Sequence, residues 1–148
     1  MAKIIENNDI EKTKKELIKN RDEIILITSQ NDNYNRKMIE YGKFKGILNI
    51  EKGNRKDSLR QIDSGLNIYL AKEAAKKKIS LFLDMEEFRK LKGKEKAERI
   101  AKIIQNIKLT RKTGAEIKLL NVKDKKDAIS FLLSLGASTE QASKAISF

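Results

Sequence analysis

Three carboxylates, Asp84, Glu86 and Glu87, follow the apolar run Ile79–Leu83. A carboxylate at the end of a buried strand is where open α/β sheets place ligands. Asp84 therefore marks one possible chemistry: a small open-sheet α/β domain with an Asp84-centred magnesium or phosphoacceptor site. The competing reading of Asp84-Met85-Glu86-Glu87 is a helix cap with an acidic first turn that complements the helix dipole. No second acidic cluster stands at another strand end, which favours the cap. The remaining chemistry-bearing groups are cations in three clusters: Lys76, Lys77 and Lys78; then Arg89, Lys90, Lys92, Lys94 and Lys96; then Lys123, Lys125 and Lys126. Each flanks an apolar run, and clustered ammonium and guanidinium groups neutralise phosphates. The chain has no histidine and no cysteine. That removes Ser-His, Cys-His and histidine acid–base arrangements, disulfides and thiolate metal sites. No GxGxxG or Walker-type loop is present. We assign no catalytic residue, no metal ligand and no cofactor held by the protein itself.

The charge balance agrees with a polyanionic partner. Lys and Arg number 33 against 21 Asp and Glu, a formal net charge of +12. Residues 75–148 hold 18 basic and 9 acidic groups, whereas residues 1–74 hold 15 and 12. Such asymmetry is the footprint of a phosphate binder that meets its partner mainly through the second half. The plainer alternative is a lysine-rich codon bias that coats the whole surface with ammonium groups, since Lys outnumbers Arg 26 to 7; a generic basic RNA-binding scaffold is a further reading. Aromatic residues make up only 5%, so backbone and shape recognition suits the chain better than base stacking. The apolar runs Ile24–Ile27 and Ser80–Leu83 fall far short of the roughly 20 residues that span a bilayer. No membrane association is expected, nor a secretion signal, and the expected compartment is the cytoplasm.

The elements that must position these groups alternate regularly. Strands are predicted at Lys3–Glu6, Asp22–Ser29, Gly46–Ile50, Ile79–Leu83 and Glu116–Val122, from β-branched runs bounded by polar residues. Between them lie helical patterns: Ile10, Lys14, Leu17 and Ile18 after the caps Asn8-Asp9; a helix capped by Asp32 or Asn33 and ended by Gly42; and one bearing Leu66, Leu70, Ala71, Ala74 and Ala75. The longest, about 94–112, carries Ala97, Ile100, Ala101, Ile104 and Ile107 on its apolar face and stops at Gly114. Two short helices close the chain. The first carries Ala128, Phe131, Leu132 and Leu135; the second opens on a capping box, Ser138-Thr139-Glu140-Gln141. Alternation of this kind implies right-handed βαβ units and a parallel sheet. Either an open doubly wound sheet or part of a (β/α)₈ barrel fits. About five units are too few to close a barrel, which needs at least ~200 residues. A single α/β domain over residues 1–148 is expected, without a linker.

The run Asp63-Ser64-Gly65-Leu66-Asn67, followed by Leu70-Ala71-Lys72 and Ala74-Ala75, resembles the signature of the archaeal and eukaryotic ribonuclease P protein component 3 family. Flanking segments are similar in order: Asn35-Arg36, Ile47-Leu48, Ile79-Ser80-Leu81-Phe82, Gln105-Asn106-Ile107-Lys108-Leu109 with Arg111-Lys112, and the closing Leu135-Gly136, Gln141-Ala142 and Lys144-Ala145-Ile146-Ser147. The resemblance covers roughly residues 33–148. It implies a TIM-barrel-like subunit, here an incomplete β/α barrel in a short form lacking the family's usual N-terminal βα units. It also implies a non-catalytic subunit of an endoribonuclease ribonucleoprotein in which RNA performs the cleavage. The implied partners are the ribonuclease P RNA and protein component 2, with precursor tRNA met indirectly and magnesium carried on the RNA. The three cation clusters are then the expected RNA contacts, in support of 5′-end maturation of precursor tRNA. Open strand edges in an incomplete barrel must be covered or paired, so a protein partner or self-association is expected there.

Overall fold

A computed structural model of the chain describes residues 2–52 and 62–147. The β-branched runs become five short strands: β1 (Lys3–Ile5), β2 (Ile25–Thr28), β3 (Gly46–Leu48), β4 (Ser80–Asp84) and β5 (Ile117–Leu120). All pair in parallel with their sequence neighbours, in the order β1-β2-β3-β4-β5. A doubly wound sheet reverses its strand order at a switch point; this sheet has no reversal, which decides for the barrel-like layout. The strands are shorter than the sequence suggests. Ile24 lies outside β2 and is 49% exposed, and Asn49 turns the chain out of β3 with φ at 54°.

The crossovers are helical: α1 (Ile10–Lys19), α2 (Asp32–Tyr41), α3 (Ile68–Lys77), α4 (Met85–Arg89), α5 (Gly93–Thr113), α6 (Lys125–Ser134) and α7 (Thr139–Ala145). Their caps follow side-chain chemistry. Asp9, Asn31, Asn67, Asp84, Asp124 and Ser138 each accept a backbone N–H of the first turn, and Ser138 completes the capping box with Gln141. Asn31, rather than Asp32 or Asn33, caps α2. Gly42 ends that helix at φ 73°, a conformation that costs a residue with a Cβ.

The two faces of the sheet differ. Helical side chains such as Leu17, Met38, Leu70, Ala74, Ile103 and Leu132 pack with the strand residues Ile25, Ile27, Ile47, Leu81, Leu83, Ile117 and Leu119 in the main core. On the other face Leu26, Leu48 and Phe82 form a small cluster with Ala2 and Leu120. Helices outside and strand side chains inside is the barrel arrangement. The inner face leaves no room at Gly46: a Cβ there would lie 2.2 Å from the Phe82 ring and 2.8 Å from the Ser80 carbonyl oxygen. Glycine lets strands β3 and β4 curl around Phe82. At the far edge, α7 is tied to β5 by Lys118 Nζ, which donates to the Lys144 carbonyl at 2.7 Å.

Two predicted faces need correction. Ile18 of α1 is 53% exposed, and Thr13 and Leu17 are the residues buried there. In α5 the buried positions are Arg99, Lys102, Ile103, Asn106, Ile107 and Thr110, while Ala97 is exposed and Ile100, Ala101 and Ile104 are only half-buried. Two of the polar groups on that face reach partners far along the chain, and Thr110 bonds within its own helix. Asn106 Nδ2 donates to the Ser64 carbonyl at 3.3 Å, Thr110 Oγ1 donates to the Asn106 carbonyl at 2.8 Å, and Arg99 reaches Glu51.

Candidate nucleic-acid interface

The C-terminal strand ends form a hydrogen-bonded rim. Ser29 Oγ, just past β2, donates to the Asn49 carbonyl at 2.8 Å. The Asn49 side chain accepts the Asp84 N–H at 3.1 Å and donates to Glu87 Oε2 at 3.0 Å. Asn121, just past β5, donates through Nδ2 to Asp84 Oδ1 at 2.8 Å, and Arg89 Nη2 donates to the Asn121 carbonyl at 3.0 Å. Asn49 and Asn121 both sit in the left-handed region, at φ 54° and 58°, where asparagine is among the few tolerated residues. The rim thus locks the last residues of β3, β4 and β5 together.

Asp84 is committed to this structure. Its Oδ1 accepts both the Asn121 amide and the Glu86 backbone N–H, the latter at 3.0 Å as the cap of α4. Glu87 is taken by Arg99, Lys52 and Asn49. Among the described residues no group of three or more His, Cys, Asp or Glu side chains is placed to hold a metal ion. The acidic cluster thus caps α4 and takes part in the hydrogen bonds of the rim.

Behind the rim lies a buried ion pair that the sequence reading missed. Arg99 Nη2 meets Glu51 Oε1 at 2.7 Å, with the Glu51 side chain fully buried, and Arg99 Nη1 reaches Glu87 Oε1 at 3.5 Å. Burial pushes the Glu51 carboxyl above its ordinary range, outweighing the pull of the Arg99 charge. A polar residue ending a strand and an arginine on a long helix were the only signals, and neither is specific.

The cation clusters divide between the two ends of the sheet. Arg89 and Lys90 end α4, Lys92 immediately precedes α5, Lys94 and Lys96 lie in its first turns, Lys123 precedes α6, and Lys125 and Lys126 open it. All eight stand on the rim side. Arg89, Lys90 and Lys123 line one shallow depression together with Glu86, Asn121 and Val122, so the structure joins two clusters that are more than thirty residues apart in sequence. Lys94 pairs with Glu98 at 3.8 Å, and Lys96 lies over the Phe88 ring at 5.4 Å. Lys76, Lys77 and Lys78 stand at the opposite end, where α3 turns into β4. Lys43 and Lys45, which sequence reasoning did not single out, are exposed at that same end just before β3.

The run Asp63–Asn67 does structural work. Asp63 Oδ1 accepts the Gly65 N–H at 3.0 Å, and Gly65 turns at φ 80°. Ser64 is fully buried and its carbonyl receives the Asn106 amide; Leu66 is buried; Asn67 Oδ1 accepts the Leu70 N–H at 2.8 Å as the cap of α3. These residues fix the entry of α3 and dock α5 on it.

No protein-family model matches the sequence, and comparison with curated proteins finds no significant match. Solved structures do match. A chain in the cryo-EM structure of archaeal ribonuclease P with mature tRNA aligns at a TM-score of 0.77 and 21% identity. The two share one fold. The alignment covers 97% of this chain and 63% of that one, so this chain spans under two thirds of its neighbour's length. No described helix is long and apolar enough to cross a membrane.

Proposed function

We propose that this chain is a protein subunit of a ribonuclease P ribonucleoprotein, binding the catalytic RNA and a protein partner to support 5′-end maturation of precursor tRNA. The observation that carries this reading is the likeness of fold, over nearly the whole chain, to a chain of archaeal ribonuclease P. It is supported by the rim, where Arg89, Lys90, Lys92, Lys94, Lys96, Lys123, Lys125 and Lys126 gather on βα segments held in place by the Asn49–Asp84–Asn121 bonds. Cations fixed by a scaffold take over charge neutralisation from diffusible ions. In this reading the subunit lowers the magnesium that the RNA needs to fold, and the RNA performs the cleavage. The protein partner is component 2, met at an uncovered strand edge such as that of β1, which pairs with β2 alone.

The test is reconstitution: precursor-tRNA cleavage by ribonuclease P RNA and component 2, with and without this chain, across a magnesium series. A lower magnesium requirement or a higher rate on addition is expected. No change, together with no binding of component 2, would overturn the proposal. Light scattering on the isolated chain reports self-association across the same edges, which a monomer at high concentration would exclude.

A further inference from the structure

At the end of the sheet opposite the rim, the turns before β3 and β4 carry a second basic surface, flanked by Asp22 and Glu23 before β2 and by Glu116 before β5. Lys43 and Lys45 lie in the turn from α2 to β3, and Lys76, Lys77 and Lys78 in the turn from α3 to β4. These turns touch. The Lys45 N–H donates to the Ile25 carbonyl at 2.9 Å, and the Lys45 carbonyl accepts the Ser80 N–H at 3.0 Å. The Lys77 stem runs against the first turn, so that a Cβ on Gly42 would stand 3.2 Å from Lys77 Cδ.

All five lysines are exposed, and no carboxylate falls within residues 42–46 or 76–80. Among the described residues none of the five forms an ion pair; Lys43 Nζ lies over the Tyr41 ring at 5.3 Å. On the rim, by contrast, Glu86, Asp124 and Asp127 are interleaved with the cations. The helix dipole accounts for Lys76 and Lys77 in the last turn of α3. It does not account for Lys43 and Lys45, which lie beyond a helix with no basic residue in its last turn.

The two surfaces are separate electrostatic objects. The α3 helix that runs between the ends has 10 residues, a length of about 15 Å at ~1.5 Å per residue. Screening at physiological salt acts over about 8 Å. Each end therefore neutralises phosphates of its own.

Resting on the RNA-binding reading above, we infer that the protein bridges two RNA segments, one held by the rim and the other by the Lys43, Lys45 and Lys76–Lys78 end. The ligand at each is an RNA phosphate backbone.

The experiment mixes donor-labelled and acceptor-labelled copies of one short RNA hairpin with the full chain. Anisotropy reads binding, energy transfer between hairpins reads bridging, and light scattering under the same conditions reads the state of the protein. Two variants remove one end each: Lys45→Gln with Lys76→Gln and Lys78→Gln, and Lys90→Gln with Lys123→Gln and Lys126→Gln. The expected result is energy transfer on monomeric wild-type protein, lost in both variants, each of which still binds a single hairpin with an affinity within about twofold of wild type, as for the loss of one of two equivalent sites.

Wild-type energy transfer in the Lys45 variant would overturn the bridge, as would energy transfer that arises only with protein dimers. So would an opposite end that takes up polyglutamate but no hairpin, which would make it a protein-docking surface. Loss of all binding in the Lys90 variant, with none in the Lys45 variant, would leave one RNA surface and sink the bridge alone. Failure of the wild type to bind any hairpin would sink the RNA reading itself.

Discussion

Replacing Arg99 with Met keeps most of the buried stem and deletes the cation that pairs with Glu51. The Glu51 side chain is 0% exposed and that of Arg99 10%, so solvent cannot step in. Breaking a buried pair from one side costs about 3–5 kcal/mol, a large share of the ~5–15 kcal/mol that holds a domain together. At about 2–4 °C per kcal/mol for a chain of this size, Arg99→Met melts roughly 6–20 °C below wild type. Glu51→Gln is a milder change, because Arg99 keeps Glu87 at 3.5 Å and the amide can still accept its hydrogen bond; we expect a cost within about 1 kcal/mol. In the Glu51→Gln background Arg99→Met then costs less than alone, by a coupling of about 1–3 kcal/mol. The sign of the pH dependence follows from burial, which raises the Glu51 carboxyl above its ordinary 4.5. The folded state then holds this proton more tightly than the unfolded chain does. Its contribution to stability is complete below pH 4.5 and is lost as pH climbs through the raised value. Wild type should therefore lose stability relative to Glu51→Gln as pH rises from 4.5 to neutrality. Urea denaturation followed by far-ultraviolet circular dichroism, at a series of pH values, measures both effects. A wild type that instead gains on Glu51→Gln with rising pH would refute the dominance of burial. An Arg99→Met variant melting within about 2 °C of wild type would refute the buried pair.

Gly46→Ala drives a methyl group into the Phe82 ring and the Ser80 carbonyl; a loss of about 3 kcal/mol or more is expected, read as a fall in the denaturation midpoint. Asn67→Ala removes the cap of α3 and should cost about 0.5–2 kcal/mol, with thermal melting as the check. Asp84→Asn keeps an oxygen that can accept the Glu86 N–H, since Asn and Asp cap alike. It should shift stability by under about 1 kcal/mol and leave RNA binding and magnesium dependence in reconstitution unchanged. Loss of either would return Asp84 to a chemical role.

The element order was legible because short apolar runs alternate with helical patterns, several of which open on a capping side chain; Asp9 and Ser138 cap as their positions suggest, whereas the helix expected to include Leu66 begins only after the cap Asn67. Helix faces were less legible. Along α5 the alanines Ala97 and Ala101 complete a helical stripe in sequence, yet alanine offers little area to bury. Arg99 and Asn106 take the inward positions through partners 48 and 42 residues away, which no local window contains. The rim was invisible for the same reason: Asn49 and Asn121 read as among the last residues of strands, whereas the fold turns them out of β3 and β5 and sets them beside Asp84. The cation clusters were legible as charge, but their sorting to opposite ends of one sheet is a property of topology. Lys45 shows this, since only the pairing of β3 with β4 makes it a neighbour of Lys78.

Strand order identical to chain order also bears on how such a molecule can change over generations. In a doubly wound sheet a new unit added at one terminus takes its place at whichever edge the winding has reached, and the switch-point crevice stays tied to particular central strands. Here every strand bonds only to the strands before and after it in the chain. A unit gained or lost at either end alters one border and leaves each remaining pairing register intact. Accretion and erosion at either border are therefore both compatible with the pairing registers that remain.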